Sequence, residues 1–423
     1  MLALALLALG AAPAQAVTAQ HGRSGPCRPG DPASPTCQVW TGKVKSINDG
    51  DTIGVDIDGD GNHREYQIRF TGIQAMEETR YSQDVRKLRG QCHAVAAAVF
   101  VHRLVRLGHH RVRLTSQHPR SDRLGRLFRY LAFQIGGRWQ DVGQAEMARG
   151  LTLWMNQPSD PLWNATYDRL GQEAAQRHIG MFDTTTCGAG PAQDIPLKTW
   201  VMSDPPGRET AADEWVKLQN LDATRSIDLG HWWIRDSGLR RFTFPAGTRL
   251  APGQTLTLHV GPGARTANDF YWGLGQTIFE NSSTGSGDGD GAYVFDPHGD
   301  LRVWSIYPCL VACTDPNQGA LRVTAHPRGV ESAVVTNASS QAVDLYGYEL
   351  FFGGGNYAFP QGSVLQPGQS LTVYVGGSPA SDSGRAQYAG ISGPYLPDSG
   401  GAVMLRNFQE TVLSCSAWGS GRC

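Results

Sequence analysis

The residues with most chemistry at close spacing lie between positions 44 and 78, VKSINDGDTIGVDIDGDGNHREYQIRFTGIQAMEE. Asp49 and Asp51 precede one short alternating run, Arg69 stands near the end of a second, and Glu77 and Glu78 follow it. Carboxylate oxygens suit a hard divalent cation, a guanidinium suits a phosphate, and a further carboxylate can orient or deprotonate a water. Those types together can do phosphodiester chemistry. A cation and forked donors stabilise the charge that builds on the equatorial oxygens as water attacks phosphorus. No covalent nucleophile is needed, and no convincing Ser-His-Asp arrangement accompanies them.

Strands must position these groups. Residues 53–57 and 66–70 alternate apolar with polar and are joined by an acidic, glycine-rich turn. Asp56, Asp58, Asp60 and Gly61 match the first half of an EF-hand loop. Position twelve is Gln67 and no helices flank the segment, so it reads as a hairpin turn. Strong helix formers at helical spacing predict a helix over 92–107. Residues 111–114 and 127–133 alternate as strands on either side of a turn at 119–126. A helix capped by Asp141 is expected over 141–153, ending near Gly150, and another over 167–182. Strands, a helix, strands and two helices suit a small closed barrel with appended helices.

Charge is unevenly spread. The chain carries a net −1, but residues 38–190 hold 20 Lys and Arg against 16 Asp and Glu, and residues 191–423 hold 15 against 21. Twelve of the basic residues fall between Arg80 and Arg129, with only Asp84 and Asp122 as acids. Such a surface suits an anionic polymer. The first 16 residues, MLALALLALGAAPAQA, end in Ala14-Gln15-Ala16 and suit export with signal-peptide cleavage. Eight cysteines outside metal-type spacing agree with an oxidising compartment, and their neighbours suggest Cys27–Cys37, Cys92–Cys187, Cys309–Cys313 and Cys415–Cys423.

Five pieces in order, IND-GDT at 47–52, IRFTGI followed by Glu77, SDRLGR at 121–126, DVGQAEMARGL and EAAQRHIGMF, give residues 39 to about 183 a specific likeness. The segment resembles the staphylococcal nuclease (thermonuclease) family. The resemblance implies an oligonucleotide-binding-fold barrel of five strands with three helices, cleaving DNA, or RNA, with Ca2+. It also implies a metal site at Asp49, Asp51, Gln74 and Ala75, with Arg69 and Arg126 clamping the phosphate and Glu77 activating water. The chain departs from the family at Gln74, where an aspartate is usual, so one negative charge is lost and calcium affinity should fall. The family's substrate-contacting tyrosines are absent, with Leu124, Asn156 and Pro158 in their regions.

The second half repeats itself at an offset of about 115 residues. WVKLQN at 215–220, Asp228-Leu229-Gly230, Phe244-Pro245 and LAPGQTLTL at 250–258 recur as AVVTN at 333–337, Asp344-Leu345, Phe359-Pro360 and LQPGQSLTV at 365–373. Short alternating strands between Pro-Gly and Asp-Gly turns predict two β-sandwiches. The pattern resembles the lamin-tail domain, which implies an immunoglobulin-like sandwich and says little of function.

The expected organisation is therefore multidomain and mainly β. A signal peptide (1–16) and leader (17–38) precede a thermonuclease-like domain (39–185). A linker (186–195) and two lamin-tail-like sandwiches (196–310 and 318–423) follow. The expected function is a secreted, calcium-dependent nuclease acting on DNA or RNA, with no membrane insertion and with tail domains that hold a surface, polymer or protein. A nucleic-acid-binding or surface-adhesive protein whose barrel has lost catalysis is the alternative.

Overall fold

A computed structural model of the chain describes residues 17–78, 91–188, 196–203, 210–238, 240–279, 289–352, 355–391 and 395–423. The expected signal peptide, the cluster Arg80, Arg86, Lys87 and Arg89 with Asp84, and linker residues 189–195 lie outside the described residues. The N-terminal unit consists of β1 (Arg23–Pro26), β2 (Thr36–Ile47), β3 (Thr52–Ile57), β4 (Glu65–Phe70), β5 (Ile73–Ala75), α1 (Ala94–Leu107), β6 (Arg111–Ser121), β7 (Leu127–Ile135), β8 (Arg138–Asp141), α2 (Val142–Met147), β9 (Thr152–Trp154) and α3 (Asn164–Gln176).

Pairing runs β2-β3-β4-β7-β6 and returns from β6 to β2, which closes a five-stranded barrel. All these pairs are antiparallel except β4 with β7, where Ile68 faces Leu127. Alternation puts Ile53, Val55, Ile68, Leu114 and Phe133 inside, each wholly buried. Residues 17–38, expected as a leader, lie on this barrel. Here β1 pairs with β2, Trp40 Nε1 donates to Thr18 O at 2.8 Å, and the Cys27–Cys37 disulfide closes the loop.

Three boundaries differ from the sequence reading. The helix expected over 167–182 begins earlier, as α3, and ends at Gln176, with only a 3-10 turn at Gly180–Phe182 beyond it. Strand β6 continues to Ser121, so the turn shrinks to the residues around Asp122–Arg126. Helix α2 is capped by Asp141 as expected, its side chain accepting from Gln144 N, but it stops at Met147. Gly150 at φ 60° reverses the chain, where any side chain would lie 2.3 Å from Ile179 O. The chain then leaves as β9, whose Leu153 pairs with Gln74 of β5.

The C-terminal half forms two units of one plan. Each has a four-stranded sheet ending in a parallel pair, a second four-stranded antiparallel sheet and a two-stranded ribbon. The repeated residues explain themselves. Asn220 and Asn337, wholly buried, each donate to loop carbonyls on both sides of the core. Glu214 accepts from Ile278 N and Phe279 N, and Glu331 from Tyr395 N and Leu396 N. All four expected disulfides are formed, in keeping with an oxidising compartment.

The first sandwich is packed hard against the barrel unit. Trp233 stacks on Phe295 at 4.0 Å, and the pair joins Tyr293 and Ile306 in one buried cluster with Met76, Leu153 and Phe182. Arg302, 3% exposed at its side chain, donates to Thr184 O and Gly188 O while pairing with Asp296. Asp300 accepts from Cys187 N at 2.7 Å, and Gln172 of α3 holds both Pro308 O and Leu310 N. Trp232 lies in the core of its sandwich, whereas Trp233 belongs to the junction.

This junction carries a pH dependence. Burial pushes the Asp168 carboxyl on α3 up to about 7, and burial also raises Asp290. The folded state then binds more protons than the unfolded chain between the ordinary carboxylate range and about pH 7. Their contribution is present at acid pH and is lost as pH rises. The melting temperature should fall by a few degrees from pH 5 to pH 8 in scanning calorimetry, and Asp168→Asn should flatten that fall.

Candidate functional site

One rim of the barrel gathers the residues singled out in the sequence. Asp51 directly precedes β3, whose Thr52 pairs with Arg69 near the end of β4. Arg126 directly precedes β7, where Leu127 meets Ile68. Gln74 and Ala75 arrive on β5, a strap fixed by β9. The aspartate turn fits beneath α1 because position 50 is glycine; a Cβ there would stand 2.5 Å from that of Ala97 and 2.9 Å from that of Ala75.

At the centre is a buried ion pair. Arg69, 3% exposed, places Nη1 at 3.1 Å from Asp51 Oδ1, and Asp51 is 2% exposed. The same nitrogen donates to Phe70 O at 3.2 Å, while Nη2 donates to Gln74 Oε1. Asp51 Oδ1 also accepts from Thr52 Oγ1 at 3.0 Å, and Oδ2 accepts from Ala75 N at 2.7 Å and Gln74 Nε2 at 3.2 Å. Gln74 Nε2 lies 3.1 Å from Glu77 Oε1 and 3.2 Å from Ala75 O as well. Asp49 Oδ1 accepts from Asp51 N at 2.9 Å, and burial together with Asp51 pushes its carboxyl up to about 8.

Glu77 is raised by burial first and then by the Asp51 charge, against the opposing charges of Arg69, Arg235 and Arg126. Its backbone is tied to Gln91, with N donating to Gln91 Oε1 at 2.8 Å. Arg126, 30% exposed at its side chain, donates through Nε to Asp122 Oδ2 at 2.7 Å. The Asp122 carboxylate also accepts from Leu124 N and Arg126 N, which shapes the turn and leaves Leu124 74% exposed at its tip.

Two residues here had no signal in the sequence reading. Glu146 of α2 is wholly buried with neither carboxylate oxygen hydrogen-bonded, and burial plus the charges of Asp51 and Asp49 raise it well above the ordinary range. Its position within an otherwise apolar helix face was the one available clue. Arg235 comes from the first sandwich, 2% exposed, with Nη1 at 3.6 Å from Met76 Sδ and its charge reaching Glu77. Nothing local in sequence links it to the strap.

Among the described residues, the basic face is smaller than the composition suggests. Arg113 and Arg129 are buried, the latter over the Trp40 ring at 4.1 Å, and Arg111 pairs with Asp58 in the hairpin turn. Arg103, Arg106, Arg120 and Arg123 remain exposed. That turn is a hairpin as expected, with Asp58 also bound to Thr41 Oγ1 and Asp60 to Asn62.

The expected calcium donors do not fit that ion. Calcium takes six to eight oxygens at about 2.3–2.6 Å, yet the Gln74 amide nitrogen stands among Asp51 Oδ2, Glu77 Oε1 and Ala75 O, where such an ion would have to lie. Among the described residues, three potential ligand atoms converge only at Cys92, His93 and Cys187, where the two sulfurs are bonded to each other. Asp49, Asp51 and Glu77 are near neighbours that do not converge.

A family model, the lamin tail domain, matches residues 199–307, which covers the first sandwich. No curated protein matches the chain.

Removing one member of the buried pair should be costly. Asp51→Ala leaves the Arg69 guanidinium uncompensated in the interior and should cost about 3–5 kcal/mol. Urea unfolding should show the midpoint falling with an unchanged slope, and the double variant Asp51→Leu/Arg69→Met should recover much of the loss.

Proposed function

We propose that the barrel is an oligonucleotide-binding fold of thermonuclease type. In this reading, binding to the phosphodiester backbone of extracellular DNA, or of RNA, outlasts cation-dependent hydrolysis. The observation that carries this reading is the state of the two arginines. Every contact of the Arg69 guanidinium lies within the barrel rim, on Asp51, Phe70 O and Gln74. Arg126 keeps part of its side chain in solvent beside the exposed Arg123. One phosphate-clamping group is thus withdrawn, and cations suited to backbone phosphates stay on the surface.

A second reading, hydrolysis, is favoured by Glu77. That carboxylate is retained at the rim, its proton affinity is raised, and Arg126 is close enough to act on it electrostatically. There Glu77 would hold or accept a proton of the attacking water and Arg126 would meet the phosphate. The two sandwiches are both lamin-tail-like modules that stabilise the barrel and carry it to a surface, a polymer or a protein. In this reading the work is done outside the cell, which the four disulfides and the export signal expected at residues 1–16 support.

Gel-shift titration of a single-stranded oligonucleotide across a salt series tests the binding reading. Arg123→Ala/Arg126→Ala should weaken retention whatever the sequence and reduce the salt slope by roughly one per residue. A wild-type chain that retains no DNA at low salt would sink it. Plasmid nicking by the wild-type chain that disappears in Glu77→Gln would instead establish hydrolysis.

A further inference from the structure

The Gln74 side chain is oriented without ambiguity. A guanidinium only donates, so the amide atom facing Arg69 Nη2 must be the oxygen, and the nitrogen must face the opposite way. That nitrogen meets three oxygens at nearly one distance: Glu77 Oε1 at 3.1 Å, Asp51 Oδ2 at 3.2 Å and Ala75 O at 3.2 Å. Two are carboxylate oxygens and one is a backbone carbonyl, the donor set of a hard cation. An amide has only two N–H bonds for three acceptors. All three oxygens surround the one nitrogen, more acceptors than it has N–H bonds to pair with.

From this geometry we propose that the Gln74 amide nitrogen occupies the place of a divalent cation, so the rim is assembled without calcium, and that Gln74→Asp alone opens a calcium site. The local charges agree. Arg69 satisfies Asp51, while Arg126 and Arg235 act on Glu77, so the site meets its two central carboxylates with guanidinium groups already present in the chain. Arg235 is supplied by the first sandwich, which rests on the strap through Met76. Replacing the amide by a carboxylate removes the filling donor and adds an anion facing Asp51 and Glu77. A bound cation would then relieve a repulsion that the wild-type rim does not have.

This inference deepens the reading of the rim given above, but its test does not depend on nucleic acid. Calcium is titrated calorimetrically into chelator-stripped wild-type chain, Asp51→Asn and Gln74→Asp, and each is melted with calcium and with EDTA. The wild-type chain should melt alike in both and give no heat that Asp51→Asn removes. Gln74→Asp should bind one calcium at least about 100-fold more tightly than wild type and melt roughly 5 °C higher with calcium than with EDTA. A one-site calcium heat in the wild-type chain that is lost in Asp51→Asn overturns the proposal, whether or not Gln74→Asp folds. So does a folded Gln74→Asp that titrates like wild type. Oligonucleotide retention in EDTA is scored separately; its loss would count against the nucleic-acid reading and leave the Gln74 assignment standing.

Discussion

The Asp51–Arg69 pair sits where water cannot help it. A buried guanidinium is tolerated only if its donors find acceptors, and a buried carboxylate only if its lone pairs find donors. Thr52, Phe70, Gln74 and Ala75 supply those partners, so the strap that carries Gln74 and Ala75 must lie against the barrel rim. The strap in turn needs an edge to pair with, which is why α2 is cut short and the chain returns as β9. One ion pair thus determines the path of two connections.

The same strap joins the barrel to the first sandwich. Met76 belongs to the cluster that includes Trp233, Tyr293 and Phe295, and Arg235 of the sandwich lies against its sulfur. Removing the sandwich would expose these apolar faces and withdraw a positive charge from Glu77. Arg302 and Asp300 fix Thr184, Cys187 and Gly188, where the barrel unit runs into the expected linker, to the same surface. The first sandwich is therefore part of the rim's support. The second sandwich repeats the plan of the first and meets it through Trp200, Met202 and Phe408.

Much of the fold was legible because it is periodic. Alternation marked β3, β4 and β7, the Asp141 cap marked the start of α2, and the repeated Asn, Phe-Pro and Pro-Gly positions marked two sandwiches of one plan. The disulfide partners followed from their neighbours. Helix α2 stops at Met147, short of the end expected near Gly150, because the chain turns there to give β5 a partner in β9. The basic stretch was overvalued for a similar reason. A count of arginines does not show that Arg113 and Arg129 turn inward, where burial lowers the proton affinity of both.

At the site itself, the sequence by itself determined the cast: Asp49, Asp51, Arg69, Gln74, Glu77 and Arg126, held on strands and tight turns. It also set an amide, Gln74, among those carboxylates. What that amide does was decided only in three dimensions, because an amide is both donor and acceptor and its neighbours choose which end faces where. Arg69 takes the oxygen, so the nitrogen turns to Asp51, Glu77 and the Ala75 carbonyl. Glu146 and Arg235 entered the same neighbourhood through helix packing and through a separate sandwich. Burial and long-range contact of that kind leave no periodic trace in a chain.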